Sequence, residues 1–257
     1  MIAELIPTIS FIKEKINNEI KGKVIYLTLS GAHLYGMESV DSDYDIRGCF
    51  LQKTEALLGL KLPKDQLQTT LKEQNADIDI FEMRKELGLL VKSNCNVLEH
   101  LFATPLYSDV LEHSKLKQLI RHLINKNGLY GSYRGMAYFN YKKFILGNQP
   151  TVKKYLYVFR ALLAGIYALN TGQIEPNIEK LNQSFDYENV TNLIELKKHG
   201  EEKSKTGRNE SHDKLIDDLF IQITNAFEAS WLPESPNKED YDAVDEYLKN
   251  LRKNYLD

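Results

Sequence analysis

The sequence predicts an α+β protein in which a small sheet is followed by a helical C-terminal part. Segments rich in β-branched and aromatic residues, or alternating between polar and apolar residues, all lie before residue 105. After residue 105 the apolar residues recur at helical spacing in one segment after another. We therefore predict a boundary near Pro105, with one domain over residues 1–105 and an all-helical domain over residues 106–257.

The elements of the N-terminal part follow from their apolar patterns. Isoleucines at helical spacing predict a helix over residues 9–20, which ends at Gly22. Strands are predicted over residues 24–29, 43–51 and 77–81, of which the last, DIDIF, alternates throughout. Helices are predicted over residues 82–92 and 96–102. Residues 53–74 contain Pro63 and few periodic apolar residues, so we predict a loop with short pieces of structure there.

Six helices are predicted in the C-terminal part from the spacing of its apolar residues. They span residues 110–124, 130–146, 152–170, 187–198, 215–231 and 241–251. Residues 200–214 are charged and lack periodic apolar residues, so we predict an exposed loop between the fourth and fifth of these helices.

Composition and charge exclude several classes of protein. The 257-residue chain is 42% hydrophobic and 27% charged, which is ordinary for a globular protein. Its net charge of −3 argues against binding nucleic acid by overall charge, so such contacts would need a local basic patch. No apolar run approaches the ~20 residues of a membrane span, and the N-terminus lacks a signal-peptide pattern. Cys49 and Cys95 adjoin apolar segments and are expected to be reduced, so we expect a cytoplasmic protein.

Residues 30–50, SGAHLYGMESVDSDYDIRGCF, carry the predicted chemistry. Asp43 and Asp45 are two apart on a predicted strand, so their carboxylates point to one face and repel unless a cation lies between them. A hard divalent cation, Mg²⁺ or Mn²⁺, suits such oxygen ligands. The glycine turn over residues 31–36 can direct backbone N–H groups at a phosphate, and the two features together indicate phosphoryl or nucleotidyl transfer. The plainer alternative is that Asp43 only closes a polar turn with Asp41 and Ser42, and we assign Asp41 itself to that turn.

The pattern S-G-x-x-x-Y-G followed by D-S-D-x-D-I-R-G resembles the DNA polymerase β–type nucleotidyltransferase superfamily, and in particular its RNA-ligase-associated branch. The resemblance extends over about residues 24–172 and implies a small mixed-sheet core with a helical domain that closes the nucleotide cleft. It further implies a nucleoside triphosphate substrate, divalent cations held by three acids, and release of pyrophosphate. One position departs from the superfamily, because its usual Gly-Ser is Gly31-Ala32 here and the serine hydroxyl that helps to hold the triphosphate is absent.

The resemblance takes the third acid from a later strand, and the segment over residues 77–81 fits it. The frame D-x-x-x-F-E-M-R resembles the family pattern with the acid at Asp77, while Asp79 shares the same strand face and stays an alternative. Arg47, two residues beyond Asp45, points to the same side of its strand and can pair with a carboxylate or reach a phosphate. The triphosphate-binding residues predicted in and beside the turn are Ser30, Gly31, Ala32 and Arg47.

A basic stripe is predicted in the helical part. Lys153, Tyr157 and Arg160 fall at helical spacing on one face, with Lys154 beside them, and this face can bind triphosphate oxygens. A solvated helix face is the alternative. A second group combines aromatic and cationic side chains that suit a base or an RNA end, and it consists of Tyr138, Tyr141, Lys142 and Lys143.

The resemblance implies a metal-dependent nucleotidyltransferase that moves a nucleotidyl group from a nucleoside triphosphate to a hydroxyl acceptor, with an RNA end and RNA repair suggested by the branch. The alternative from another class is a binding or regulatory protein with a catalytically reduced nucleotidyltransferase fold, which Ala32 favours and the full set of acids disfavours. A metal-dependent phosphohydrolase would use the same acids, but the six histidines are scattered along the chain.

Overall fold

The computed structural model describes residues 2–39, 42–147, 150–199 and 207–255. Asp41, which the sequence assigned to a turn, and residues 200–206 of the predicted loop lie outside this described part. Within it, one five-stranded sheet is combined with α-helices that continue to the C-terminal end. The predicted α+β class, with a small mixed sheet and a helical C-terminal region, is confirmed.

The sheet has the strand order β3-β4-β2-β1-β5. Its strands are β1 (Gly22–Leu29), β2 (Tyr44–Gln52), β3 (Gln66–Leu71), β4 (Ala76–Glu82) and β5 (Pro105–Ser108). The central pair β2–β4 is parallel, and the other three pairs are antiparallel. The mixed sheet therefore has a parallel pair at its middle, where residues of equal register stand side by side on one face.

Eleven α-helices occur in the described ranges. They are α1 (Ile2–Lys15), α2 (Gly31–Tyr35), α3 (Met83–Leu90), α4 (Cys95–Phe102), α5 (Val110–Arg121), α6 (Lys126–Asn140), α7 (Val152–Thr171), α8 (Ile178–Phe185), α9 (Glu188–Lys198), α10 (Glu210–Ala229) and α11 (Lys238–Lys253). Two of them continue as π-helical turns, α1 through Ile16–Ile20 and α6 through Tyr141–Ile145. Among the helices of this described part, none has the length and apolar composition that crossing a bilayer requires.

Two strands lie where none was predicted. Strand β3 occupies part of the stretch predicted as a loop, and β5 follows the point at which strand signals were expected to end. Both are edge strands, and β3 exposes or half-exposes every side chain except that of Leu67. An edge strand with little buried surface needs few apolar residues, so the apolar alternation that would predict it from sequence is weak. The prediction of an all-helical part after residue 105 is wrong at β5, whereas the domain division itself stays a prediction.

Three helices also differ from the sequence prediction. The predicted glycine turn contains the five-residue α2, and α8 was not predicted. Helix α10 begins at Glu210, inside the segment predicted as a loop, because Asn209 caps it by accepting hydrogen bonds from the N–H groups of Ser211 and His212. Capping residues therefore start this helix before its apolar pattern begins.

The core lies on both faces of the sheet. On one face α1 packs over residues such as Leu27, Ile46 and Ile78. On the other face a larger cluster joins sheet residues to the C-terminal helices, and α7 forms its centre with most of its side chains buried. Cys49 and Cys95 are both buried with free thiols, in agreement with the prediction of reduced core residues.

Candidate active site

The turn between β1 and α2 is packed directly against an acidic side chain. The backbone N–H of Ser30 donates to the carbonyl of Asp45 at 2.7 Å, which ties the end of β1 to β2. Gly31 has a φ of 58°, and a β-carbon there would overlap the Asp45 carboxylate. Glycine is therefore required at position 31 both for the left-handed backbone and for the close approach of this acid.

The parallel pairing of β2 and β4 brings two carboxylates together. Asp45 stands opposite Asp77, and Arg47 stands opposite Asp79, all on one face of the sheet. The Arg47 guanidinium bridges the first pair, because its Nη2 donates to Asp45 Oδ1 at 2.9 Å and to Asp77 Oδ2 at 3.0 Å. Its Nη1 also donates to the Asp77 carbonyl at 3.0 Å. The strand periodicity in the sequence thus predicts which side chains share a face. The register between β2 and β4, which only the structure gives, shows which residue stands opposite each of them.

The Asp45 carboxyl is the electrostatically strained member of this group. Its pKa is raised mainly by burial, the Arg47 guanidinium opposes that rise, and the negative charges of Asp77 and Asp43 add to it. Asp43 is exposed just before β2 begins, within electrostatic range of Asp45. Asp79 accepts a hydrogen bond from the amide of Gln66 on the edge strand β3. An added cation would relieve the repulsion that acts on Asp45.

The fit of this site to a divalent cation rests on its donor chemistry. Asp45 and Asp77 offer neighbouring carboxylate oxygens, which hard cations prefer. Across the described part of the chain, no group of three or more His, Cys, Asp or Glu side chains is arranged to hold a metal ion. Arg47 is the cation that lies between the two carboxylates in this structure. The residues present fit a divalent cation in type and charge, provided that Arg47 gives up part of its contact.

A cavity of about 400 Å³ opens beside the acids. Asp45, Arg47 and Asp79 from the sheet form one wall, together with Ser30 and Gly31 from the turn. The opposite walls carry aromatic and polar side chains from α2, α3, α4 and α7, among them Tyr35, Glu86, Asn96, His100 and Tyr157. A cavity of this size that combines apolar walls with convergent polar groups is typical of a small-molecule site.

His100 is a cavity residue to which the sequence assigned no role. Its Nε2 lies 2.9 Å from the hydroxyl oxygen of Ser30, so α4 holds the side chain at the end of β1. Burial, and to a lesser extent the positive charges of Arg47 and Arg160, lower the pKa of His100 to about 3. His100 is therefore neutral at pH 7, and it fixes the Ser30 hydroxyl at the cavity wall without adding charge.

Glu86 is a second cavity residue that the sequence interpretation missed. It is 1% exposed and accepts a hydrogen bond from the Tyr26 hydroxyl through Oε1, while Oε2 has no partner among the described residues. Burial raises the pKa of Glu86 to about 8. The only sequence signal was an acid between Met83, Leu87 and Leu90, on the apolar face of a predicted helix.

The predicted basic stripe on α7 is only partly present. Arg160 is wholly buried, where its Nη1 donates to Glu99 Oε1 at 2.7 Å and its guanidinium lies 3.8 Å from the centre of the Tyr35 ring. In this structure Glu99 and the Tyr35 ring occupy its guanidinium, and its contact with triphosphate oxygens stays a prediction. Lys153 and Lys154 are half-buried at the start of the same helix.

Ala32 and Tyr141 are also covered by neighbouring residues, wholly or in part. The side chain of Ala32 is buried within α2, and a role of this residue in triphosphate binding stays a prediction. Tyr141 lies half-buried with its ring 6.2 Å from that of Phe220 on α10. Its neighbour Lys142 is exposed.

Comparison with known proteins identifies the family of this chain. The chain is 28% identical over 228 residues to the uncharacterized protein YcgL of Bacillus subtilis (strain 168), a match that covers 83% of this chain and 87% of that protein. A crystal structure of a nucleotidyltransferase-like protein from Exiguobacterium sibiricum 255-15 aligns with 96% of this chain and 79% of its own, at a TM-score of 0.31 and 9% identity. The model of the RlaP family, described as the RNA repair pathway DNA polymerase beta family, matches residues 10–250. The chain therefore belongs to the RlaP family, which confirms the superfamily predicted from the acid motif.

Proposed function

We propose that this protein is a metal-dependent nucleotidyltransferase that transfers a nucleotidyl group from a nucleoside triphosphate to a hydroxyl, with an RNA end as acceptor. The observation that carries the proposal is the pairing of Asp77 with Asp45, which lines the cavity beside Gly31. Membership of a polymerase beta family supports the reaction class, and the family's description as an RNA repair pathway supports the acceptor. Action in the cytoplasm stays a prediction.

The residues that would hold Mg²⁺ or Mn²⁺ are Asp43, Asp45 and, as the third acid, Asp77, for which Asp79 is the alternative. When bound, the cation supplies charge that acidifies the acceptor hydroxyl and neutralises the departing pyrophosphate. The protein's own contribution is to hold the two carboxylates at fixed register and to keep the reacting groups in a partly closed cavity.

Arg47 has two sets of anionic partners in this proposal. In the structure its guanidinium forms ion pairs with both Asp45 and Asp77. With a cation on the carboxylates, its fork of N–H groups is free to bind a phosphate oxygen at the same wall, which Ser30 and Gly31 also line. Lys153 and Lys154 at the start of α7 are the further phosphate ligands that we propose.

The alternative is a nucleotide-binding protein with reduced catalysis. Two observations favour it, namely the bridging of both carboxylates by Arg47 and the absence of a serine hydroxyl at position 32. In that case a triphosphate would bind without turnover.

Calorimetric titration of ATP, GTP, CTP and UTP with and without Mg²⁺ tests the proposal, together with transfer of label from an α-labelled triphosphate to a short RNA. We expect Asp45→Asn and Asp77→Asn each to weaken Mg²⁺-dependent binding by ~10-fold or more and to reduce transfer by at least ~100-fold. Asp79→Asn measures whether that acid contributes to the metal site.

Asp65→Asn is the matched control, because Asp65 is an exposed acid that pairs with Lys85 at 3.6 Å, outside the residues that line the cavity. Full activity in Asp45→Asn or Asp77→Asn would overturn the assignment of the site. Mg²⁺-dependent binding without any transfer would favour the binding protein.

A further inference from the structure

A group of cations and exposed rings occurs where α6 ends and α7 begins. The π-helical turn Tyr141–Ile145 projects Lys142 and Lys143 into solvent. Tyr138 and Phe139, on the last turn of α6, are 49% and 58% exposed. We define the lysine–aromatic surface as the side chains of Tyr138, Phe139, Lys142, Lys143, Phe144 and Lys154.

The cations of this surface lie over its rings. Lys154 Nζ is 3.7 Å and Lys143 Nζ is 5.2 Å from the centre of the Phe144 ring. Lys143 also lies 5.2 Å from the Phe139 ring, and Lys142 lies 5.8 Å from the Tyr138 ring. Burial lowers the pKa of Lys154, and the positive charges of Lys153 and Lys143 lower it further, so these three ammonium groups are within electrostatic range of one another.

No acid in the described part of the chain pairs with the lysines of this surface. Lys142, Lys143, Lys153 and Lys154 form no ion pair with any side chain in the described ranges. Asp213 and Asp217 act on the neighbouring Tyr141 from α10, and Asp213 is already bonded to Arg208. A cluster of unpaired cations in a chain of net charge −3 indicates a local anionic partner.

The surface also adjoins the cavity along α7. Tyr157 lines the cavity, and Lys153 precedes it by one helical turn on the same face. Lys154, which follows directly, belongs to the lysine–aromatic surface. The first turns of α7 therefore connect the surface to a residue that lines the cavity.

We propose that the lysine–aromatic surface binds a single-stranded nucleic acid and leads its end into the cavity. The proposal rests on the proposed function, because it names where the acceptor strand is held. The chemistry favours this polymer over an acidic peptide, since bases stack on exposed rings while lysines pair with the phosphates between them. An acidic peptide would use the charges and leave exposed aromatic surface unmatched. Duplex ends offer stacked bases that cannot spread over separate rings.

Fluorescence anisotropy with a labelled, unstructured 12-nucleotide RNA tests the proposal, with a blunt RNA duplex of equal length for comparison. We expect tighter binding of the single strand and a ~10-fold or larger loss of affinity between 50 and 200 mM salt. Lys142→Gln/Lys143→Gln should lower the affinity and reduce the salt slope by about 1.4, and Tyr138→Ala/Phe139→Ala should lower the affinity by at least ~5-fold.

Lys238→Gln/Lys249→Gln is the matched control, since both lysines are exposed on α11 and the change in net charge is the same. This control should leave the salt slope unchanged and alter the RNA affinity only slightly, through the change in net charge. Equal losses in the control, equal or tighter binding of the duplex, or equal competition by polyglutamate would each overturn the proposal.

Binding of Mg²⁺ and triphosphate, measured by calorimetry on the same variants, separates this proposal from the proposed function. If triphosphate binds normally and the RNA does not, the surface proposal alone fails. If the RNA binds at this surface and no triphosphate binds at the acids, the nucleotidyltransferase proposal alone fails.

Discussion

At the scale of single residues, the Glu86 carboxyl links the cavity to the pH dependence of stability. Because burial raises its pKa to about 8, the folded protein binds a proton here that the unfolded chain releases at lower pH. Stability from this group is therefore complete below the ordinary glutamate pKa and is lost as pH rises towards about 8. Glu86→Gln retains the size and an acceptor for Tyr26, so its unfolding free energy relative to wild type should rise by ~2–3 kcal/mol from pH 6 to pH 9, as measured by urea denaturation.

Glu73→Gln serves as the control for this experiment, because the side chain of Glu73 is exposed whereas that of Glu86 is buried. Its difference from wild type should stay constant over the same pH range. If the unfolding free energies of Glu86→Gln and wild type changed in parallel with pH, Glu86 would be ionised over the whole range. That result would contradict the assignment of a neutral acid to the cavity wall.

At the scale of elements, the ion pair between Glu99 on α4 and Arg160 on α7 connects two helices behind the cavity. Both side chains are almost fully buried, and the Arg160 guanidinium also supports the ring of Tyr35. Arg160→Met should lower the unfolding free energy by about 3–5 kcal/mol, because Glu99 is left buried without its partner. The double variant Arg160→Met/Glu99→Leu should recover much of that loss in the same denaturation assay. An Arg160→Met protein of wild-type stability with weakened triphosphate binding would instead support the phosphate-binding role predicted from sequence.

Local pattern was sufficient for some elements and insufficient for others. The alternation of DIDIF predicted β4, and the spacing of Asp45 and Arg47 predicted their shared face. The same reasoning did not reveal the burial of Arg160, because helical spacing gives neighbours on one helix but does not tell whether another helix covers that face. Helix α7 is covered on most of its circumference, so Arg160 meets Glu99 rather than solvent. Glu86 and His100 were missed for a related reason, since only the packing of α3 and α4 against the sheet turns them to the cavity.

At the scale of the whole molecule, the sheet and the C-terminal helices share one core. The larger apolar cluster runs from Tyr26 on β1 to Leu251 on α11. Next to Leu251, Arg252 Nη2 donates a hydrogen bond to the Glu82 carboxylate at 2.8 Å. The backbone carbonyl of Arg252 accepts a hydrogen bond from the Thr54 hydroxyl at 3.0 Å. A fragment of residues 1–105 would lose β5 and expose the apolar face that this cluster covers.

We therefore expect the full chain to unfold in one cooperative transition and the 1–105 fragment to remain unfolded. Scanning calorimetry should give a calorimetric enthalpy equal to the van't Hoff enthalpy, and circular dichroism of the fragment should show little fixed structure.

Arg252→Ala should lower the unfolding free energy by about 3 kcal/mol, because it leaves the buried Glu82 carboxylate without its cationic partner. The single transition should therefore move to a lower temperature. Lys253→Ala, an exposed neighbour, should leave the transition in place. Two separate transitions, with only one moved by Arg252→Ala, would mean that the parts on either side of residue 105 fold independently, as the predicted domain division implies.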